Sequence, residues 1–184
     1  MTEKEELLSK KRALELFDNK ILNTLEAGTS KSLIEIHKYL FQDIYKTTGE
    51  LRKTDISKGG FRFAPVIYLE EALKNLDKMP HSNFDEIVEK YVEMNILHPF
   101  NDGNGRSMRI WLDCMLKKEI GMVVDWTKIE KDDYIMAMER SPIKDIEIKY
   151  YIGNALTEDI DSREVYVKGI NQSWYYESFY NSLP

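Results

Sequence analysis

Cysteine is nearly absent from this sequence. Its 184 residues carry one, Cys114, which excludes an internal disulfide, and the neighbours Trp111, Leu112, Met115 and Leu116 place that thiol in or against a core. A reducing setting, the cytoplasm, is expected. Long apolar runs are also missing: the stretch from Phe63 to Leu69 is far short of the ~20 residues that span a bilayer. The N-terminal MTEKEELLSKKR mixes charges where a secretory signal has an apolar centre, so neither export nor membrane insertion is expected. Positive charge is in deficit, 26 Lys and Arg against 32 Asp and Glu for a net of −6, the wrong sign for attraction to a phosphate backbone. Nucleic acid is therefore not an expected direct partner. Internal repeats, low-complexity tracts and linker-like shifts of composition are lacking as well. Since 42% of side chains are apolar, enough for one core, a single domain over 1–184 is expected.

What the sequence has in abundance is helical periodicity, beginning with Leu7, Leu8, Ala13, Leu14, Leu16 and Phe17. Thr29 and Ser30 lead into a second helix, with Ser32 and Glu35 as a capping box and Leu33, Ile36, Leu40 and Ile44 as its apolar stripe. Asn83 with Glu86 predicts a helix over 84–97, Thr127 with Glu130 another, and Ser141 before Pro142 a third start. Asp161 or Ser162 opens a last helix, about 162–182, rich in aromatics at Tyr166, Trp174, Tyr175, Tyr176, Phe179 and Tyr180. That helix packs either internally or against a second copy of the chain. The fold class read from this pattern is all-α. Residues 55–67, DISKGGFRFAPVI, break the rhythm: Gly59-Gly60 signals a turn and Phe61 and Phe63 alternate with Arg62, which predicts a short β-hairpin. The hairpin is either a ledge for a substrate or an ordinary connection with aromatic anchors.

One of three histidines, two glycines and two arginines fall within residues 98–109, HPFNDGNGRSMR. Pro99 disfavours a helical conformation at the residue before it, so His98 sits at a helix-to-loop corner. His37 and His81 lack such company and read as structural. Asp102 offers one carboxylate, enough for a magnesium ion that takes its other ligands from water and nucleotide phosphates. Gly103-Asn104-Gly105 lets backbone N–H groups curl around an anion, and a helix from about 104 to 116 would aim its positive end at the same spot. Arg106 and Arg109 share one face of that helix, and guanidinium forks match phosphate oxygens. Each residue alone fits a Gly-rich turn with a helix cap and solvated arginines. The whole string arises by chance with probability on the order of one in ten million at average residue frequencies. Gly103 and Gly105 stand too close together for a Walker A loop, and no Gly-Lys-Ser/Thr follows.

The string H-x-F-x-D-G-N-G-R-x-x-R resembles the signature of the Fic family, whose members transfer part of a nucleotide, most often AMP from ATP, onto a protein hydroxyl. The resemblance covers roughly the whole chain and implies a Fic-type helical bundle with a short β-hairpin flap. It implies that His98 deprotonates the target hydroxyl, Phe100 anchors the loop, and Asp102 binds Mg2+. Gly103, Asn104 and Gly105 would form the anion hole, Arg106 would hold the β-phosphate region of ATP and Arg109 the γ-phosphate. Gly105 stands where a phosphate-transferring branch of the family carries Lys, which implies AMP transfer. The flap residues Lys58, Gly59, Gly60, Phe61, Arg62 and Phe63 would dock the backbone of a target protein with an accessible Tyr, Ser or Thr; topoisomerase subunits are one target class that the resemblance suggests. A histidine of ordinary pKa, about 6.5, suits the base.

Ser173 and Glu177 lie four apart, on one helix face. The residues alone favour a solvated Glu177 amid core aromatics. The resemblance implies instead an inhibitory Ser/Thr-x-x-x-Glu motif whose glutamate pairs with Arg109, with Ser178 standing where the family usually has Gly or Asn. Tyr175 and Tyr176 beside it are self-modification sites or core residues. Two other readings of the chain are a de-AMPylase, in which Glu177 orients water, and a nucleotide-binding regulator without catalysis.

Overall fold

The rest of the fold is built around α5 (Asn104–Ile120), and its composition explains why. Met108, Ile110, Trp111, Leu112, Met115 and Leu116 are all buried, so apolar side chains cover more than one face and the helix belongs inside a bundle. It starts after Gly103 and stops at Gly121, both at positive φ, which glycine adopts without a Cβ penalty. The computed structural model describes residues 1–58 and 60–178. Gly59, Phe179 and Tyr180 lie outside these residues, as does the expected last part of the final helix.

Around α5 stand α2 (Ser30–Phe41), α4 (Phe84–Leu97) and α8 (Arg163–Glu177). α1 (Glu3–Asp18) bridges α2 and α8, and α3 (Leu69–Asp77) covers α4. α6 (Lys131–Arg140) and α7 (Ile146–Ala155) pair with each other, touching α8 and α4 respectively. Indole N–H groups tie the layers: Trp111 donates to the Thr29 carbonyl at 2.9 Å and Trp174 to Ser9 Oγ at 2.9 Å. Buried apolar residues from Ala13 to Tyr176 form one continuous cluster. Trp174 and Tyr176 are spent on that core, so the aromatic face of α8 packs internally. The expected all-α class with a small hairpin is what the described residues form, and no described helix is long and apolar enough to cross a membrane.

Two predicted starts are as expected. Asn83 Oδ1 accepts from the Glu86 N–H, and Ser162 Oγ from the Val165 N–H. Three differ. Thr29, not Ser32, caps α2, its hydroxyl accepting from the Ser32 N–H. Thr127 lies in a 3-10 turn (Trp126–Lys128) capped by Asp125, and α6 starts after Glu130. Ser141 ends α6, its hydroxyl returning to the Met138 carbonyl, and α7 starts after Asp145. The hairpin is shorter than 55–67: β1 (Ser57–Lys58) pairs antiparallel with β2 (Phe61–Arg62), Ser57 opposite Arg62 and Lys58 opposite Phe61. A second ladder, β3 (Val123–Val124) with β4 (Leu156–Thr157), was not expected, because two residues leave no alternation to read.

Candidate active site

His98 closes α4. Its N–H bonds the Met94 carbonyl at 3.0 Å and its backbone is left-handed, φ 47°, an uncommon conformation for a residue with a Cβ. The turn swings the imidazole under the flap, where it stacks on Phe63 with ring centres 3.8 Å apart. Nδ1 is buried with no well-aligned hydrogen bond among the described residues, the Asn95 backbone lying near enough to favour the protonated ring, and His98 lines the cavity. Burial, then the nearby Lys58 ammonium, lowers the ring's pKa to about 3, with the Glu177 carboxylate acting in the opposite direction. The ring is thus neutral at pH 7, as a proton acceptor must be. It is also a weaker base than a histidine of ordinary pKa, the value expected from sequence.

The loop after His98 is braced from behind. Phe100 is buried and stacks on His37 of α2 at 3.8 Å. His37 Nδ1 accepts the Gly49 N–H at 3.0 Å, so its Nε2 carries the proton and donates to the Asp102 carbonyl at 2.9 Å. Burial lowers its pKa to about 4, which keeps that tautomer neutral. The Asn104 side chain folds back on Phe100, accepting its N–H at 2.9 Å and donating to its carbonyl at 2.7 Å. The Asn104 side chain is buried and braces the loop.

Gly103, at φ 80°, offers no side chain to the first N–H groups of α5, so these orphan donors and the helix dipole face the cavity. A Cβ there would also strike the Phe41 ring. A Cβ on Gly105 would meet the Glu177 carboxylate, which lies over the first turn of α5. Asp102 fits a single-carboxylate magnesium site. Its side chain is 59% exposed; Oδ1 holds the Gly103 N–H (2.6 Å) and Arg106 Nη2 (3.1 Å), and the carboxylate also faces the Tyr45 hydroxyl.

The two arginines share a helix face but neither is solvated. Arg106, 4% exposed, turns toward α2, where Nη2 donates to the Tyr45 hydroxyl at 3.0 Å and the guanidinium lies over Phe41; its buried Nε has no partner among the described residues. Arg109, 2% exposed, turns toward α6 and α8. Its Nε donates to Ser173 Oγ at 2.7 Å, Nη2 to the Ser173 carbonyl and to Glu177 Oε1, both at 2.8 Å, and Nη1 to the Tyr134 hydroxyl at 3.2 Å. The rings of Tyr134 and Tyr176 sit beside it. Glu177 is shared: Oε2 lies 3.5 Å from Lys58 Nζ of the flap. Burial would raise the Glu177 carboxyl, but Arg109, Lys58 and Arg106 hold it down at about 2.

These groups surround one cavity of about 550 Å³, lined by His98, Asp102 to Arg106, Arg109, Glu177 and the flap residues Lys58, Phe61 and Phe63. Arg62 points away and pairs with Asp55 at 2.9 Å, and Gly60 supplies the turn at φ 82°. Tyr176 is buried with its hydroxyl on the Trp126 and Ile129 carbonyls, whereas Tyr175 is exposed. His37 is the structural histidine that the sequence suggested, but sequence reasoning passed over Tyr45, Arg52 and Tyr134. Each acts through another site residue, and no spacing in the sequence ties it to the 98–109 string.

The Fic/DOC family model matches residues 28–116. Protein adenylyltransferase VbhT of Bartonella schoenbuchensis is 33% identical, over 75% of this chain and 31% of that protein. A probable protein adenylyltransferase Fic of Salmonella typhimurium is 30% identical over 62% of each. The matched part of the chain thus spans less than two thirds of these relatives. Among solved structures, the N-terminal FIC domain of Bep8 from Bartonella sp. 1-1C superposes with a TM-score of 0.70 at 15% identity, covering 87% of this chain and 88% of that one. BepC from Bartonella tribocorum, solved with AMPPNP bound, gives 0.69 at 18% identity over 84% and 85%. Signature, fold and relatives agree, and the chain belongs to the Fic/DOC family.

Proposed function

We propose that the protein is an adenylyltransferase that moves AMP from ATP to a hydroxyl of a target protein and is held in check by Glu177. The observation that carries this reading is the neutral imidazole of His98 opening on the same cavity as the anion cradle of Gly103, Gly105, Arg106 and Arg109. Binding phosphates needs no base at that corner; activating a hydroxyl does.

In the proposed reaction His98 takes the proton as the target oxygen bonds the α-phosphorus, and the bond to pyrophosphate breaks. The leaving charge falls on Arg106, Arg109 and the first turn of α5, donors fixed before the reaction begins. Asp102 would hold Mg2+, which neutralises phosphate charge. The phosphates also raise the basicity of His98, because anions stabilise the imidazolium. The flap supplies an exposed strand, β1, whose edge suits an extended target segment. Glu177 lies over Gly105 and on Arg109, a place suited to an anion, and the carboxylate thereby opposes the seating of the terminal phosphate.

A coupling of about 1–3 kcal/mol for such a pair corresponds to roughly 5- to 150-fold in activity. With ATP and a cell lysate, Glu177→Gly should raise AMP addition by that factor, read by mass spectrometry of modified peptides, and His98→Ala in the same background should remove it. Equal addition in all three proteins would refute the reading, and loss of AMP from a pre-modified substrate would favour hydrolytic removal instead.

A further inference from the structure

Arg52 is 1% exposed, yet it forms no ion pair with a carboxylate among the described residues, Asp55 acting on it only through its charge. Its guanidinium is spent on four backbone carbonyls. Nε donates to His98 at 2.8 Å and Nη2 to Leu97 at 3.0 Å, the final carbonyls of α4, where a cation complements the negative end of the helix. Nη1 donates to Thr54 at 2.9 Å, just before β1, and Nη2 also to Ala64, just after β2. One plane of N–H groups therefore joins both roots of the flap to the corner that carries His98. Neighbouring backbone bonds run the same way: Arg52 N–H to the Pro99 carbonyl at 2.8 Å and Ala64 N–H to the Ile96 carbonyl at 3.0 Å. The Phe63 ring on the His98 ring completes the joint on the side-chain side.

Burying a cation with only carbonyls as hydrogen-bond partners is costly, and burial lowers the affinity of Arg52 for its proton, with the Asp55 charge offsetting part of that. An interaction retained at that cost fixes geometry, and a lysine cannot replace it, because a point ammonium does not span four acceptors in a plane. The phosphate side of the site is braced separately, by His37 on Asp102 and by Asn104 on Phe100.

We propose that Arg52 is a positioning residue that registers the flap against His98, so that a target segment held on β1 presents its hydroxyl to the imidazole. The proposal rests on the transferase reading. Arg52 touches neither nucleotide nor target; it acts through the His98 backbone and the flap roots. Its loss separates the two halves of the site: the cradle keeps its nucleotide, and the acceptor loses its alignment with the base.

The test uses Arg52→Lys in the Glu177→Gly background, which keeps charge and length but not the fork. Transfer to protein should fall on the order of a hundred-fold in kcat, the effect of an ångström-scale misplacement, while the Kd for an ATP analogue stays within about threefold. Two further readouts do not depend on activity. The His98 ring resonances should titrate closer to the ordinary 6.5, and the amides of Phe63 and Ala64 should exchange faster while those of α5 keep their protection. If the Glu177→Gly parent transfers no AMP, the transferase reading fails and these two readouts still decide the role of Arg52. Unchanged His98 titration and flap exchange, or a loss of transfer matched by loss of nucleotide binding, would overturn the proposal. Should Arg52→Lys not fold, hydrogen exchange in the parent decides: the Ala64 and His98 amides are expected to open as one unit, and independent opening contradicts the joint.

Discussion

Glu177 and His98 respond to acid in the same direction for different reasons. The Glu177 carboxyl lies at about 2, below its ordinary 4.5, so the Arg109 pair contributes full stability above pH 4.5 and loses it as pH falls through 2. His98, at about 3 against 6.5, is held neutral; its contribution is complete above pH 6.5 and declines as pH falls toward 3. His37, at about 4, behaves alike. Between pH 6.5 and 5 the melting temperature should therefore fall through the histidines while the Glu177 pair stays intact. His98→Gln should flatten part of that fall and Glu177→Gln should leave it alone, as thermal melts at closely spaced pH values would show. For the Glu177→Gly enzyme, the kcat/KM profile should lack an acid limb at 6.5, because the free enzyme's base has already lost its proton there. The ordinary histidine pKa expected from sequence was wrong for a local reason: Phe63, which covers the ring, is 35 residues away in the chain.

Among the elements, α5 begins under two constraints at once. Gly103 needs its left-handed turn and sits on Phe41, so Gly103→Ala should cost about 1–2 kcal/mol from backbone strain alone, more with the ring displaced. Urea unfolding measures it. α6 supplies a support that no motif announces. The Tyr134 hydroxyl meets both Arg109 Nη1 and Tyr91 Oη, the latter at 2.5 Å, so Tyr134→Phe should destabilise by about 1–3 kcal/mol through two buried groups left short of a partner. The boundaries of α4 were legible because Asn83, Glu86 and Pro99 agree on them. Those of α6 and α7 were not, because Thr127 and Ser141 are good caps that other bonds claimed, a turn with Asp125 and the end of α6. The flap was legible as a turn but not in length, since past the bond from the Phe63 N–H to the Ile56 carbonyl its roots are held by Arg52.

Across the whole molecule, the chemistry is assembled from two kinds of sequence. Residues 28–116, which match the family model, bring the proposed base, the loop after it and the proposed cradle. Residues beyond that span bring Tyr134, Ser173 and Glu177 to Arg109, and only the Ser173–Glu177 pair had a recognisable spacing. The loop of the proposed cradle was readable because its residues are neighbours in sequence. The braces behind it were not, because they are neighbours only in space. The claim that everything else depends on is attack at the first phosphorus of ATP by a hydroxyl that His98 has activated. Incubating Glu177→Gly protein and an acceptor lysate with ATP labelled in the α- or the γ-phosphate tests it most directly. The α-label alone should become protein-bound, and His98→Ala should abolish it. Transfer of the γ-label, or α-labelling that survives the loss of His98, would contradict it.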